Sequence, residues 1–164
     1  LNHFAEKQGL QYDKNGELGR KGKVNIELLE KLNQIDFYQK QPPKSLGREW
    51  VENVFMPILN NFEISDNDKM ITVYEHIAHH IAQIATGSGK MLVTGGGSFN
   101  TFLIELVSNK TSIEIVIPSN EIVNFKEALI FAFLGVLKIS GQNNCLSSVT
   151  GAKHDHSSGV VFQV

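Results

Sequence analysis

Two hydrophobic patterns divide this chain. Up to about residue 89, apolar positions recur every three to four residues, which is the spacing of amphipathic helices. Beyond that point, short apolar runs of strand length alternate with helical segments. The pattern therefore predicts a mainly helical segment over residues 1–89 that packs on an α/β segment over residues 90–164, the two forming a single lobe.

Capping residues and a proline pair mark the predicted boundaries in the first half. Asn25 is placed to cap a short helix. The segment over residues 36–44 contains Pro42-Pro43, which forbids helix, so it is predicted to be an extended loop. Ser45 then stands at the N-cap position of a helix predicted over residues 46–59.

A long helix is predicted after Ser65, which forms a capping-box pattern with Asp68. Gly87-Ser88-Gly89 is expected to end it. The apolar residues of its predicted inward face are Met70, Tyr74, Ile77, Ala78, Ile81, Ile84 and Ala85.

The second half is predicted to contain a βαβ unit. This order implies two parallel strands joined by a right-handed crossover. The last long helix is apolar almost all round, so we expect it to be central. The predicted elements are a buried strand over 90–94, a helix over 99–107, a strand over 112–117, a helix over 125–139 and an edge strand over 159–164.

Composition narrows the class of protein. With 164 residues, 41% hydrophobic content and a formal net charge of −2, the chain is typical of one globular domain and lacks the basic surface of a nucleic-acid binder. Cys145 is the only cysteine, which favours a reducing compartment. The longest apolar run, residues 128–137, is too short to span a membrane. We therefore expect a cytoplasmic protein.

Three consecutive glycines form the most informative local motif. Gly95, Gly96 and Gly97 follow the strand that ends at Thr94 and precede a helix. Glycines let backbone N–H groups approach a phosphate, and a helix N-terminus adds partial positive charge. The alternative is a tight turn that needs positive φ. Asn100 stands where a dinucleotide fingerprint has Gly or Ala, so it is placed to face either a ligand or solvent.

Charged residues at two helix starts have two interpretations each. Glu127 precedes an apolar helix segment. It is interpreted either as a helix-start residue that the helix dipole favours or as a partly buried ligand contact. Lys44 and Arg48, with Ser45 between them, oppose the dipole of the helix that follows. They are interpreted as ligand or interface contacts, or as a solvated loop.

The histidines favour no metal site. His76 and His80 have metal-ligand spacing, but Ile77 replaces the general-base glutamate of a zinc protease, so a solvated face that includes His79 is preferred. His154 and His156 lie in a polar tail where no closed tetrahedral site is evident. The roles of these histidines are left open.

Five segments in order resemble one family, the bacterial anhydro-N-acetylmuramic acid kinases. Together they cover essentially the whole chain, and their order makes the resemblance specific. They are YDKNG at 12–16, PPKSLGRE at 42–49, TGGGSFN at 94–100, FKEALIFA at 125–132 and SVTGA at 148–152.

The resemblance implies the C-terminal lobe of an actin-like, ribonuclease H-like ATPase fold, with extra helices in the first half. It implies ATP and Mg²⁺ as cofactors and phosphorylation of 1,6-anhydro-N-acetylmuramic acid to N-acetylmuramic acid 6-phosphate in peptidoglycan recycling. It also implies a homodimer. By residue-by-residue match, Thr94, Gly95, Gly96, Gly97 and Asn100 belong to the nucleotide-binding loop and Glu127 to the sugar site.

Two motifs of that family are not found in the chain. One is its first phosphate loop, and the other is a D-T-G-P-G-N segment whose Asp deprotonates the attacking water; in the family this segment falls just before the position of Leu1. We therefore expect a C-terminal portion of such a kinase, without its N-terminal lobe, with no catalytic residue and inactive alone. A free-standing nucleotide-binding or interaction module is the alternative, and a His-based metal hydrolase is a third hypothesis.

Overall fold

A computed structural model describes residues 1–162. The first half is helical, as its hydrophobic spacing predicts. Its α-helices are α1 (Asn2–Glu6), α2 (Ile26–Asn33), α3 (Asp36–Gln39), α4 (Arg48–Trp50), α5 (Met56–Asn60) and α6 (Asp66–Ile84). A π-helical segment, Val51–Phe55, joins α4 to α5, and two 3₁₀ turns, Lys14–Gly16 and Gly19–Lys21, connect α1 to α2.

Two predicted caps are confirmed. The Asn25 side chain accepts a hydrogen bond from Leu28 N at 2.8 Å and begins α2. The Ser65 hydroxyl accepts one from Asp68 N at 3.1 Å and begins α6. Each cap satisfies a backbone donor that the helix itself leaves free, so local sequence is sufficient to place these helix starts.

The hydrophobic core lies around α6. Fully buried side chains of α2, α5 and α6 meet there, and Phe102 of the second half joins them. The largest buried side chains of the core are Tyr74, Leu28, Leu32, Leu59 and Met70. Near its end α6 loses this contact: Ile84, predicted to face inward, is 85% exposed. The helix ends at Ile84, before the predicted glycine stop, with Ala85 as its C-cap.

Two glycines allow the loop before α2 to pack closely on the core. A Cβ at Gly16, where φ is +73°, would lie 2.3 Å from Phe102 Cβ. A Cβ at Gly22 would lie 2.1 Å from the Asn67 carbonyl oxygen. Such distances exclude any side chain, so these glycines hold the loop against α6 and against the helix that carries Phe102.

The second half contains a small parallel sheet, as predicted. Strands β1 (Lys90–Leu92) and β2 (Glu114–Val116) pair with Lys90 opposite Glu114, and the helix between them is α7 (Thr101–Ser108). The mixture of helices with this two-stranded parallel sheet is compatible with an α/β fold. The strands are shorter than predicted, and β1 is not buried, since Leu92 is 60% exposed. The Lys90 ammonium instead pairs with the Glu114 carboxylate across the exposed face at 2.9 Å.

The last long helix, α8 (Asn120–Ile139), corrects a prediction. It begins before the predicted residue 125, and only Val123 of its side chains is buried. Phe125, Phe131 and Ile139 are 66%, 71% and 78% exposed. Among the described elements, its main neighbour is the 3₁₀ turn Gly96–Phe99, so an apolar sequence does not make this helix central.

The region around the proline pair also differs from prediction. A short helix, α3, precedes the prolines, which themselves lie in an irregular loop as expected. Gly47, not Ser45, is the N-cap of α4, and Ser45 is exposed in the loop. Because Gly47 has extended backbone angles, the helix starts two residues later than the sequence suggests.

The C-terminal part is irregular apart from α9 (Ser147–Thr150) and an isolated antiparallel bridge between Cys145 and His156. Residues 159–162 form no strand, and Phe162 is 86% exposed. The remainder of the predicted edge strand, residues 163–164, lies outside the described residues. Within residues 1–162, no helix combines the length and apolar character needed to cross a bilayer.

Candidate functional site

The glycine motif forms a compact turn between β1 and α7. Gly95 has φ +81°, a value that glycine adopts without strain. A 3₁₀ turn, Gly96–Phe99, follows, and Ser98 closes it because both its N–H and its hydroxyl donate to the Gly95 carbonyl, at 3.0 and 2.7 Å. Asn100 then caps α7 by accepting from Leu103 N at 3.1 Å. The turn thus leads directly into a helix N-terminus, as predicted.

This turn borders a pocket of about 720 Å³. A Cβ at Gly96 would meet nothing within 4 Å, so the backbone there faces open space. The pocket is lined by Leu1, Asn2, Tyr12, Asp13, Lys14, Asn15, Tyr74, Gly96, Gly97, Phe99, Asn100 and Leu103. The Tyr12–Asn15 loop and the glycine turn, 80 residues apart in sequence, therefore form walls of one cavity.

Asp13 is the carboxylate of the pocket wall, and it is almost completely buried, with 4% exposed. Its Oδ1 accepts from Leu18 N at 2.8 Å, and its Oδ2 accepts from Gly19 N at 3.1 Å and from the Tyr74 hydroxyl at 3.0 Å. A buried carboxylate is tolerated when its oxygens are hydrogen-bonded in this way. These bonds make Asp13 an organising group for the loop rather than a free base.

Tyr74 links this carboxylate to the glycine turn. Its hydroxyl donates to Asp13 and accepts from Asn100 Nδ2 at 2.6 Å. Asn100 Nδ2 also donates to the Asp13 carbonyl at 3.3 Å. Burial raises the pKa of the Tyr74 hydroxyl above its ordinary value of 10.0, so it remains protonated and can donate at neutral pH.

The predicted nucleotide-binding residues are placed differently with respect to the pocket. Gly96, Gly97 and Asn100 line it. Thr94 and Gly95 are half-buried at the back of the turn and are not among the lining residues. The later residues of the motif therefore face the cavity, and Thr94 and Gly95 connect the glycine turn to β1.

Glu127 does not line this pocket. It is exposed on α8, within the first half of the helix but beyond its first turn. It is not a lining residue of the described cavity, so its predicted contact with sugar stays a prediction.

Lys44, Ser45 and Arg48 are also exposed and lie outside the pocket lining. The Lys44 ammonium donates to the carbonyls of Phe37 and Tyr38 at 3.1 and 3.2 Å, which places a positive charge at the C-terminal end of α3. Arg48 pairs with Glu52, one helical turn later, at 2.8 Å. These local contacts give both cations partners within the chain, and the predicted ligand or interface role stays a prediction.

The three histidines of α6 are not a solvated face. His76 is 2% exposed, and its ring nitrogens contact Asn33 Oδ1 at 2.7 Å and the Tyr38 hydroxyl at 2.9 Å. His80 stacks on Tyr38 with ring centroids 3.9 Å apart, and His79 is half-buried beside it. Burial, followed by the nearby His80 and His79, lowers the pKa of His76 to about 3. His76 is therefore a neutral residue that joins α6 to α2 and α3.

The C-terminal histidines are organised by backbone pairing. His156 exchanges both backbone hydrogen bonds with Cys145, each 3.0 Å long, and His154 is exposed. Asp155 between them accepts from the Ser147 backbone and hydroxyl at 2.7 Å and so begins α9. Among residues 1–162, no group of three or more potential metal ligands comes together.

The sequence did not identify the roles of Asp13 and Tyr74. In the sequence, Asp13 stands only within the family segment at 12–16, and Tyr74 only on the predicted inward face of the long helix. A tyrosine on the inward face of a helix needs a partner for its hydroxyl. That requirement is the one signal that points to a buried polar junction, although it does not name the partner.

Comparison with known proteins agrees with the resemblance. The family model for anhydro-N-acetylmuramic acid kinase matches residues 2–164. A protein of that name from Caldanaerobacter subterraneus subsp. tengcongensis is 33% identical over 161 residues, which cover 88% of this chain and 40% of the relative. The namesake from Haemophilus influenzae is 33% identical over 183 residues and covers 99% of this chain and 48% of the relative.

A third relative of the same name, from Aliivibrio fischeri, is 31% identical over 168 residues, covering 97% of this chain and 46% of its own length. The chain thus spans less than half the length of these curated relatives. The family match nevertheless extends over nearly every residue, including the glycine turn and the loop that carries Asp13. This chain belongs to the anhydro-N-acetylmuramic acid kinase family.

Proposed function

We propose that this chain forms the nucleotide-binding part of an ATP-dependent kinase that phosphorylates 1,6-anhydro-N-acetylmuramic acid to N-acetylmuramic acid 6-phosphate during cell-wall recycling. The observation that supports this most directly is the glycine turn at the pocket. Gly96 and Gly97 line the cavity, and no atom of residues 1–162 lies within 4 Å of a Cβ built at Gly96. The names of the relatives supply the substrate.

The turn suits phosphate for two reasons. A glycine backbone lets an anion approach its N–H groups more closely than a residue with a side chain would, and the N-terminus of α7 directly after the turn favours negative charge. Lys14, exposed on the opposite wall, adds a positive charge. Asp13 on that wall already accepts three neutral donors, which stabilise its negative charge within the wall but do not cancel it.

The described pocket residues do not suit Mg²⁺ in the same way. Mg²⁺ prefers carboxylate, phosphate and water oxygens. Among the described residues that line the pocket, Asp13 is the only carboxylate. It is buried, and both of its oxygens accept hydrogen bonds. We therefore place Mg²⁺ on the phosphates of the nucleotide and assign this chain no side-chain ligand for it.

Neither acidic residue considered for this site is placed to act as the catalytic base. A general base needs a lone pair that can reach the proton it removes. Asp13 is held by three donors, and Glu127 is exposed on α8 and does not line the pocket. We propose that the attacking water is activated by a residue of an N-terminal lobe that is not part of this sequence, and that the chain is inactive alone. A free-standing nucleotide-binding or interaction module is the alternative.

Weak nucleotide binding can be followed residue by residue with amide NMR spectra of the chain during titration with ATP to millimolar concentrations. We expect the amide signals of Gly96, Gly97 and Phe99 to shift. In Gly96→Ala the added methyl group meets no atom of the described residues but lies where phosphate would bind, so ATP affinity should fall about tenfold or more. Gly135→Ala on α8, also in open space, is the matched control and should leave affinity unchanged.

Failure of the glycine-turn signals to shift would contradict the nucleotide assignment. Phosphate transfer to the anhydro sugar is measured in parallel. Turnover by the chain alone at rates typical of enzymes, on the order of 1 s⁻¹ or faster, would contradict the proposal that its base lies elsewhere.

A further inference from the structure

The buried polar contacts among Asp13, Tyr74 and Asn100 form a continuous chain, here called the Asp13 junction. It runs from the Asp13 carboxylate through the Tyr74 hydroxyl to the Asn100 amide, with distances of 3.0 and 2.6 Å. Asp13 and Tyr74 are 4% and 0% exposed. The junction therefore connects three parts of the molecule within the wall of the pocket.

Asn100 has little hydrogen-bonding capacity left for a ligand. One amide NH₂ group has two hydrogens, and Nδ2 donates to both Tyr74 Oη and the Asp13 carbonyl. Its Oδ1 accepts from Leu103 N at the start of α7. Each polar atom of this side chain thus has a partner within the protein, and these bonds fix Asn100 at the end of the glycine turn.

The turn depends on this end point. The Asn100 N–H donates to the Gly97 carbonyl at 3.1 Å, and Ser98 closes the other side of the turn on Gly95. Gly95 and Gly96 have no side chain to hold them, and a Cβ at either would contact nothing within 4 Å. A glycine segment of this kind keeps one backbone shape only if its ends are fixed.

Packing around the junction restricts the same three elements. The Tyr74 and Phe102 rings lie 5.2 Å apart, and the Arg20 guanidinium lies 4.2 Å from the Phe102 centroid while pairing with Glu105. A Cβ at Gly19 would come within 2.6 Å of the Tyr74 ring. Hydrogen bonds and apolar packing therefore both hold together the same three elements, which are the loop before α2, helix α6 and the start of α7.

We propose that Asp13, Tyr74 and Asn100 are positioning residues, and that the junction holds the glycine turn in the shape that receives phosphate. Asn100 then acts through the backbone of the turn and not by touching the nucleotide. This inference rests on the proposed nucleotide site, although its first test below does not require a nucleotide.

Tyr74→Phe tests the junction with little change in packing. The variant keeps the buried ring and removes the hydroxyl that joins Asp13 to Asn100. In the ligand-free protein we expect the amide signals of residues 95–100 to shift and their hydrogen exchange to become faster. ATP affinity should fall about three- to tenfold, because part of the binding energy would be spent on ordering the turn.

Thr72→Val is the matched control. Thr72 is a fully buried residue on the same helix, and its hydroxyl accepts from Asn25 N at 3.0 Å and donates to the Asp68 carbonyl at 2.6 Å. Like Tyr74→Phe, this variant removes one buried hydroxyl that makes two hydrogen bonds. Thr72, however, does not line the pocket. We expect it to lower stability without shifting the signals of the glycine turn or changing ATP affinity.

A second variant, Asn100→Ser, retains an oxygen that can cap α7 but loses the donors to Tyr74 and Asp13. It should reproduce the changes seen in Tyr74→Phe. Unchanged turn signals in both variants would overturn the proposal, as would equal changes in Thr72→Val, which would indicate a general loss of stability. If the unaltered chain does not bind ATP but the variants still alter the turn, the nucleotide assignment fails while the junction stands.

Discussion

Two long helices of this protein show how little apolar content says about burial. Helix α6 has 19 residues, many of them charged or polar, and it buries eight. Helix α8 has 20 residues, is richer in Phe, Leu and Ile, and buries only Val123. The difference lies in the neighbours: α6 packs against α1, α2, α7 and the 3₁₀ turn Gly19–Lys21, whereas α8 mainly meets the glycine turn. Burial is a property of the surroundings of a helix, not of its composition.

The buried polar side chains of α6 also depend on what surrounds the helix. Tyr74, Thr72 and His76 of α6 each have a hydrogen-bond partner from outside the helix. The partners Asp13, Asn25 and Tyr38 lie 61, 47 and 38 residues away in sequence. A helix that brings polar groups into a core must meet such partners, because an unpartnered buried polar group is costly. The burial of α6 therefore depends on partners from several parts of the chain, including α7 of the second half, and α8 lacks such partners among the described residues.

The largest expected effect comes from removing core volume on α6. Met70 is fully buried, so Met70→Ala should lower the free energy of unfolding by about 2–5 kcal/mol. Phe131→Ala on α8, where the side chain is 71% exposed, should change it by less than about 0.5 kcal/mol. Urea unfolding followed by circular dichroism measures both. Comparable losses in the two variants would show that α8 is covered in solution.

A smaller effect is expected from pH, and it should arise on α6. Burial lowers the pKa of His76 in the folded protein to about 3, whereas the unfolded value is near 6.5. Between these values the unfolded chain binds a proton that the folded chain does not, so stability falls as the pH decreases from 6.5 toward 3. From about pH 7 to about pH 5 the loss should be roughly 1–2 kcal/mol.

His76→Gln removes this titration, so its unfolding free energy should depend less on pH over the same interval. His154→Gln, at an exposed site, is the control and should keep the pH dependence of the unaltered chain. Parallel pH profiles for the unaltered chain and His76→Gln would show that His76 does not remain neutral in the fold.

The smallest of these effects concerns the helix caps. The Ser65 hydroxyl accepts a backbone hydrogen bond at the start of α6, whereas the Ser119 side chain makes no such bond at the start of α8. Ser65→Ala should cost about 1 kcal/mol, and Ser119→Ala only a few tenths of that. Thermal unfolding of the two variants measures the difference. Equal shifts in midpoint temperature would mean that Ser119 caps α8 in solution.

Local chemistry accounts for the features of the fold that were predicted correctly. Asn25 and Ser65 act within their own first helical turns, and the glycine motif needs only its neighbours to form a turn between a strand and a helix. The parallel pairing follows from the βαβ order. Where a distant neighbour decided the outcome, the predictions were wrong: His76 is buried, while Ile84 and most of α8 are exposed.

The candidate site divides in the same way. The glycine turn could be located from sequence because its residue types are unusual and consecutive. The Asp13 junction could not, because its members are 61 and 26 residues apart and each residue type is common in proteins.

By itself, the sequence determined the family, the helical spacing, two helix caps and the glycine turn between β1 and α7. Only the tertiary structure decided that the Tyr12–Asn15 loop faces this turn across a pocket, and that Asp13, Tyr74 and Asn100 meet in the wall of that pocket. The physical reason is the distance along the chain over which each kind of interaction acts. Backbone preferences and caps act over a few residues, whereas a buried hydrogen bond between distant residues exists only after the loops between them have closed and the core has packed.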